Sequence, residues 1–407
     1  MTATSAPPRR RRPAVHRRTA GGVRSGLDEL LSRPSLLRGQ RVGLVCHAAS
    51  VDARLRHAPL ALLGARDVTL AALFGPEHGL WAAAQDLVEV DDARDPATGL
   101  PIFSLYGPSR VPGAEALQGL DTLVVDLQDV GTRYYTFIWT MLHVLEAAAR
   151  HGRRVLVLDR PNPLGGEVVD GNLLEPEYRS FVGLHPLPVR HGLTIGELAL
   201  LFREELDLDL RLEVLPMRGW RRAMSFEETG LPWVPPSPNM PTPDTAWVYP
   251  GGCLVEGTNL SEGRGTTRPF EFVGAPWLDP WRLARELDAE RLPGVRFRPC
   301  FFTPTFHKHA GRPCGGVQVH VTERARFPAF LAYLLLIQAA RRQDPGRFAW
   351  RDPPYEYEYV KRPIDILCGT NRVRRALEAG LSPRTFAREW REDAALFRRR
   401  RSPYLLY

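Results

Sequence analysis

The chain has 407 residues, 44% hydrophobic and 25% charged, which excludes disordered and fibrous classes and makes two domains or subdomains the expectation. Its formal charge of +8 comes almost wholly from residues 1–27, where seven arginines and no acid leave about +1 (8 − 7) for the rest. A near-neutral body gives nucleic-acid binding little support, and no apolar run is long enough to span a bilayer.

The basic N-terminus lacks an apolar h-region, so it reads as a disordered tail over 1–25 and not as a secretory signal. Five widely spaced cysteines with no CxxC do not form a disulfide framework. A reducing, cytoplasmic compartment is the simplest expectation.

After the tail, 26–37 reads as a short amphipathic helix. Strands are expected at 42–46, 68–73, 102–105, 122–125 and 155–158, each a continuous apolar run, as when helices cover both faces. Helical segments are expected at 59–63, 135–149 and from the Thr194–Glu197 capping box to about Leu206. This alternation predicts an α/β fold: a Rossmann-like, doubly wound, mostly parallel sheet over 26–235. From Leu231 to Pro250 seven prolines predict an extended, irregular segment. Beyond it, 236–407 reads as a smaller α/β domain, with strands at 295–297 and 316–321. Its helices are expected at 280–290, 327–342 and 383–400, with Asp279 as a cap and Pro280 at a helix start.

Polar residues collect after the strands. Gly75 and Pro76 stop the second strand, and the turn they force carries Glu77 and His78. His47, Tyr106, Asp126, Asp129, Asp159, Arg160 and Asn162 follow the ends of other strands, where ligands bind in open α/β sheets. Asp126 and Asp129 read equally well as helix caps. The segment 126–135 adds Arg133, Tyr134 and Tyr135, a guanidinium and two phenols suited to a sugar, with Gly131 allowing close backbone approach. A Gly-rich loop at 256–268 interleaves Glu256 and Glu262 with Arg264 and Arg268, and also holds Asn259. It lacks GxxxxGK[ST], so a phosphate cradle is not expected. Prolines flank Asn162 and Asn239 and stiffen both turns. Cys300, His307, His309 and Cys314 supply zinc-ligand types without zinc-site spacing and read as ordinary buried side chains.

The motifs FGPEHG, VVDLQDVGTRYYTFIWTM, LDRPNPLGG, LPVRHGLTIGELA, PSPNMPT and EGTNLSEGRGTTRPFE together resemble the exo-β-N-acetylmuramidase (NamZ-type) glycoside hydrolases. The likeness runs from Val42 to Leu367. It implies a Rossmann-like domain, a smaller α/β domain and an active site in the cleft between them. It also implies release of terminal β-linked N-acetylmuramic acid from the non-reducing end of peptidoglycan fragments. The family's proposed catalytic glutamate falls on Glu77, the expected general acid/base.

The second group is open among Asp126, Asp129, Glu256, Glu262 and the substrate's own acetamido group. His78 either tunes Glu77 or binds a hydroxyl. A cation must meet the lactyl carboxylate, with Arg133, Arg264 and Arg268 ahead of Arg160 and Arg190. The remaining candidate binding residues are His47, Tyr134, Tyr135, Asn162, Asn239, Glu256 and Asn259. No metal or organic cofactor is implied, and the missing GxGxxG argues against a dinucleotide. The expected partner is a small amino-sugar substrate, with no nucleic acid and no membrane. Two alternatives stand: a metal-assisted hydrolase using His47, Glu77, His78, Asp126 and Asp129, and a non-catalytic muropeptide-binding protein.

Overall fold

The computed structural model describes residues 22–85 and 88–407, so most of the expected tail lies outside the described residues. Residues 22–25 depart from that expectation. Val23 is buried against Met217, Trp220 and Met224, and its N–H donates to Thr229 (3.0 Å). Ser25 opens helix α1 (Gly26–Ser32) through a capping box with Asp28. Pro34 ends the expected 26–37 helix early and starts a short 3-10 turn.

The chain then forms β1 (Arg41–Cys46), α2 (Ala58–Leu63), β2 (Thr69–Gly75), β3 (Ala93–Arg94), β4 (Pro101–Ser104) and β5 (Thr122–Asp126). Next come α3 (Phe137–Arg150), β6 (Arg154–Leu158), β7 (Asp170–Leu173), β8 (Pro188–Arg190), α4 (Ile195–Glu205) and β9 (Leu212–Leu215). Seven strands share one sheet in the order β3-β4-β2-β1-β5-β6-β9. All neighbours are parallel except β3 and β4 at the edge. The chain steps outward from β1 to β2 and β4, then returns to place β5 on β1's other side. The switch point therefore lies between β1 and β5, and their carboxyl ends open a crevice. The two edge strands, β3 and β9, are the ones the apolar runs did not disclose: β3 is two exposed residues, and exposed Glu213 interrupts β9. Thr194 and Glu197 form the expected capping box on α4.

The Pro-rich segment stays irregular only as far as Thr242. Helix α5 (Pro243–Gly252) follows, a correction to the expectation of extended chain through Pro250. Pro243 occupies a helix-start position, where its missing N–H costs nothing, and Pro250 lies near the helix end. Strands β10 (Phe272–Ala275), β11 (Val295–Phe302) and β12 (Cys314–Val321) make an antiparallel sheet with β12 in the middle. Helix α6 (Pro280–Ala289) is capped by Asp279, and α7 (Ala329–Gln343) packs on α5 and α6. The chain ends with α8 (Pro363–Cys368), α9 (Arg372–Glu378) and α10 (Ala387–Arg401). One apolar cluster runs from Trp139 and Phe202 through Trp247 and Tyr333 to Leu367, so both halves share a core. Among the described residues no helix is long and apolar enough to cross a membrane.

Candidate active site

β2 ends at Gly75, and Pro76 accepts the Gly79 N–H (2.9 Å) to close the turn. His78 and Gly79 both take left-handed backbone (φ 68° and 77°), uncommon for a histidine and a mark of a constrained turn. The turn delivers Glu77, 5% exposed, to the wall of a narrow cleft. The loop after β5 supplies Tyr134, Tyr135 and Thr136 to this cleft, and the Pro-rich segment supplies Ser237 and Asn239. The second half adds Tyr249, Glu256, Arg264, Phe270, Tyr355 and Glu356.

Thr136 donates from Oγ1 to Glu77 Oε2 (2.5 Å), which fixes the carboxylate's rotamer. His78 Nδ1 lies 2.9 Å from the Ala84 carbonyl. A carbonyl only accepts, so Nδ1 carries hydrogen there. Glu256 is engaged at both oxygens: Arg264 donates to Oε1 (2.8 Å) and the Tyr355 hydroxyl to Oε2 (2.6 Å). Arg264 also faces Glu262 (3.4 Å) and lies over the Phe270 ring (5.2 Å). The Tyr134 hydroxyl donates to the Pro250 carbonyl, and the Tyr134 and Tyr135 rings both meet Tyr249 edge-on. These rings form an apolar wall of the kind that stacks on a sugar face.

Seven expected site residues thus line the cleft: Glu77, His78, Tyr134, Tyr135, Asn239, Glu256 and Arg264. Asn239 donates to Gln85 Oε1 (3.0 Å) at its rim. The others do not line it, and each has a structural task. Asp126 receives a bidentate guanidinium from Arg160 (2.5 and 2.8 Å), both side chains buried. Asp129 accepts the Gly131 N–H (2.7 Å) and faces His191 (3.4 Å). Glu262 is buried beneath the cleft against Lys308, His307 and Arg264. Burial alone would raise its carboxyl, but the Lys308 charge, the His307 hydrogen bond and the Arg264 charge outweigh that and hold it well below the usual range.

Arg133 sends its guanidinium to the carbonyls of Asn172, Leu187 and Leu367 (2.8, 2.8 and 3.0 Å). Burial pushes it down to about 10. It is a backbone clamp, not a substrate cation. Arg268 is half exposed beside Glu271. Asn162 donates to Leu193 and accepts from Leu164 (both 2.9 Å), and Asn259 fastens its loop to Arg347 and Ala349.

His47 is enclosed, with Nε2 accepting the Gln128 N–H (2.8 Å) and Nδ1 facing the Pro236 carbonyl (3.3 Å). Burial, then the Arg160 charge, drives it well below the normal imidazole range. His47 and Asp126 are therefore committed elsewhere, and the five residues of the metal-assisted reading do not converge. Among the described residues no cluster of three or more His, Cys, Asp or Glu could hold a metal. His307 pairs with Glu262, and His309 lies against the Asn259 carbonyl (2.7 Å). Cys300 and Cys314 are buried on β11 and β12 beside Phe302.

Thr136, Tyr249, Tyr355 and Glu356 lie in the cleft without having been singled out from sequence. For the last two a signal exists: Pro353-Pro354 followed by alternating Tyr and Glu to Tyr359 is a turn loaded with acids and phenols.

Residues 42–244 match the family model described as exo-beta-N-acetylmuramidase NamZ, N-terminal, and residues 247–407 match its C-terminal counterpart. The peptidoglycan beta-N-acetylmuramidase NamZ of Bacillus subtilis (strain 168) is 44% identical over 387 residues, covering 95% of this chain and 91% of that protein. Two crystal structures of DUF1343 family proteins from Bacteroides fragilis NCTC 9343 share the fold. One has a TM-score of 0.86 at 35% identity, the other 0.76 at 29%, each covering 95% of this chain and 99% of its own.

Proposed function

The chain belongs to the exo-β-N-acetylmuramidase NamZ family, and from that premise we propose that it removes terminal non-reducing β-N-acetylmuramic acid from peptidoglycan fragments. The observation that carries this reading is Glu77, a buried carboxylate held by Thr136 at the wall of an aromatic cleft. Glycosidic cleavage needs a carboxylic acid to protonate the leaving oxygen as the C1–O bond breaks. Glu77 serves as that acid, and its carboxylate then activates the incoming water.

His78 holds its turn against Ala84 and borders Glu77. Arg264, held between Glu256 and Glu262, is the cation for the lactyl carboxylate. Of the three arginines favoured for that task, it alone lines the cleft. Tyr134, Tyr135 and Tyr249 offer the ring surfaces against which a pyranose packs.

The test pairs a chromogenic β-N-acetylmuramic acid glycoside with its N-acetylglucosamine analogue, with and without chelator. Chelator-insensitive release from the lactyl-bearing sugar alone is the expected result. Release from both sugars would remove the arginine from the account, and release from neither would overturn the reading. Glu77→Gln should lower kcat at least about 100-fold with little change in binding.

A further inference from the structure

Three buried carboxylates line the cleft: Glu77, Glu256 and Glu356. Glu256 is neutralised by Arg264 and capped by the Tyr355 phenol, so it adds little net negative charge. Glu356 belongs to a constrained turn. Its backbone and that of Tyr357 are left-handed (φ 47° and 63°), a conformation that costs non-glycine residues energy and gathers at functional sites. Reciprocal hydrogen bonds between Tyr355 and Glu358 (2.9 Å each) close this turn. Tyr357 packs on Tyr106 and Phe181, with the Arg110 guanidinium 4.2 Å from its ring centroid.

The turn carries Glu356 from the second half of the chain to the first-half sheet, where Tyr106, just after β4, donates to Glu356 Oε2 (3.2 Å). β4 is the neighbour of β2, whose end supplies Glu77. The same phenol is raised far above its usual range by burial, then by Glu77, then by Glu356, as expected if both carboxylates border it.

We infer that Glu356 is the second carboxylate of the reaction, the anion that opposes positive charge at the anomeric carbon. The inference rests on reading the cleft as a glycosidase site. Glu77 gives its proton to the leaving oxygen, and the electron pair of the C1–O bond departs with that oxygen. Ionised Glu356 stabilises the charge left on C1 and the ring oxygen.

The experiment uses the full chain and aryl β-N-acetylmuramic acid glycosides spanning good to poor leaving groups. Glu356→Gln should lower kcat about 100-fold on every glycoside, with KM within about threefold and an unchanged unfolding midpoint. Glu77→Gln should instead recover as the leaving group improves, because a good leaving group needs no proton. Glu356→Asp keeps the charge and should exceed the Gln variant in kcat, a comparison that stands even where Gln impairs folding. A Gln variant within about fivefold of wild type, a loss confined to KM, or recovery on good leaving groups would overturn the inference. Wild-type inactivity on every glycoside would overturn the glycosidase reading itself, so the two failures are distinct.

Discussion

Lys308 places its ammonium 2.7 Å from Glu262 Oε2 and donates as well to the Val255 and Leu260 carbonyls (3.0 and 2.9 Å). It is one of only two lysines in a chain rich in arginine. Three separate acceptors surround one nitrogen, which suits a compact ammonium and not a planar fork. Glu262 in turn faces Arg264, so the lysine fixes the cation that lines the cleft.

Lys308→Met should therefore remove the ammonium from Glu262 Oε2, leave that carboxylate to Arg264 and His307 alone, and cost about 1–3 kcal/mol of stability. Urea melts would show a lower midpoint at unchanged slope. Lys308→Arg should fail to restore it. If the methionine variant melts like wild type, the buried pair is not holding this loop.

Arg133 offers the opposite lesson, a cation in a sugar-like motif that never reaches the cleft. Arg133→Met should lower the midpoint substantially, since the Asn172 and Leu367 carbonyls lose this donor while Leu187 keeps the Leu174 N–H, at about 1–3 kcal/mol for each one left unsatisfied. The folded fraction should keep its KM within about threefold, because no substrate contact is lost. A large KM increase with normal stability would return Arg133 to the binding residues.

Arg133 also marks where sequence reading stops. The parallel sheet was legible because its central strands are unbroken apolar runs, and Glu77 because Gly75 and Pro76 announce a turn at a strand end. Proximity to the sheet's carboxyl edge did not separate side chains that open into the cleft from those that bond one another behind it. Asp126 with Arg160, and Asn162 with Leu193, occupy the same edge as Glu77, yet they tie loops together. That distinction depends on side-chain direction in the folded chain. Glu356 escaped notice because it lies 279 positions after Glu77 (356 − 77) and reaches the site only by a long-range return of the chain.

Gly131 sits beside this buried network. Its φ is 81°, and an added Cβ would lie 2.4 Å from Asn162 Oδ1. The close approach that glycine permits is to Asn162, not to a ligand. Gly131→Ala should destabilise by more than about 1 kcal/mol, combining left-handed backbone with a clash. Thermal melts should show the shift, and Asn162→Ala in the same chain should recover part of it by removing the clash. Equal melts for Gly131→Ala and wild type would contradict the packing.

Asp159 predicts how stability follows pH. Burial raises its carboxyl to about 7, against an ordinary 3.8, although Tyr407, Gly196 and Thr194 all donate to it. The folded state therefore binds a proton more tightly than the unfolded state. Between about pH 4 and pH 7 the native form holds more protons, so this group's contribution falls as pH rises through that window. Asp159→Asn removes the titration. Its amide oxygen can keep the Gly196 and Arg160 N–H bonds while the Tyr407 and Thr194 hydroxyls turn to accept. The difference in unfolding midpoint, variant minus wild type, should grow from pH 5 to pH 8 and then level off. A difference that stays flat across that range would mean that Asp159 is not protonated in the native protein.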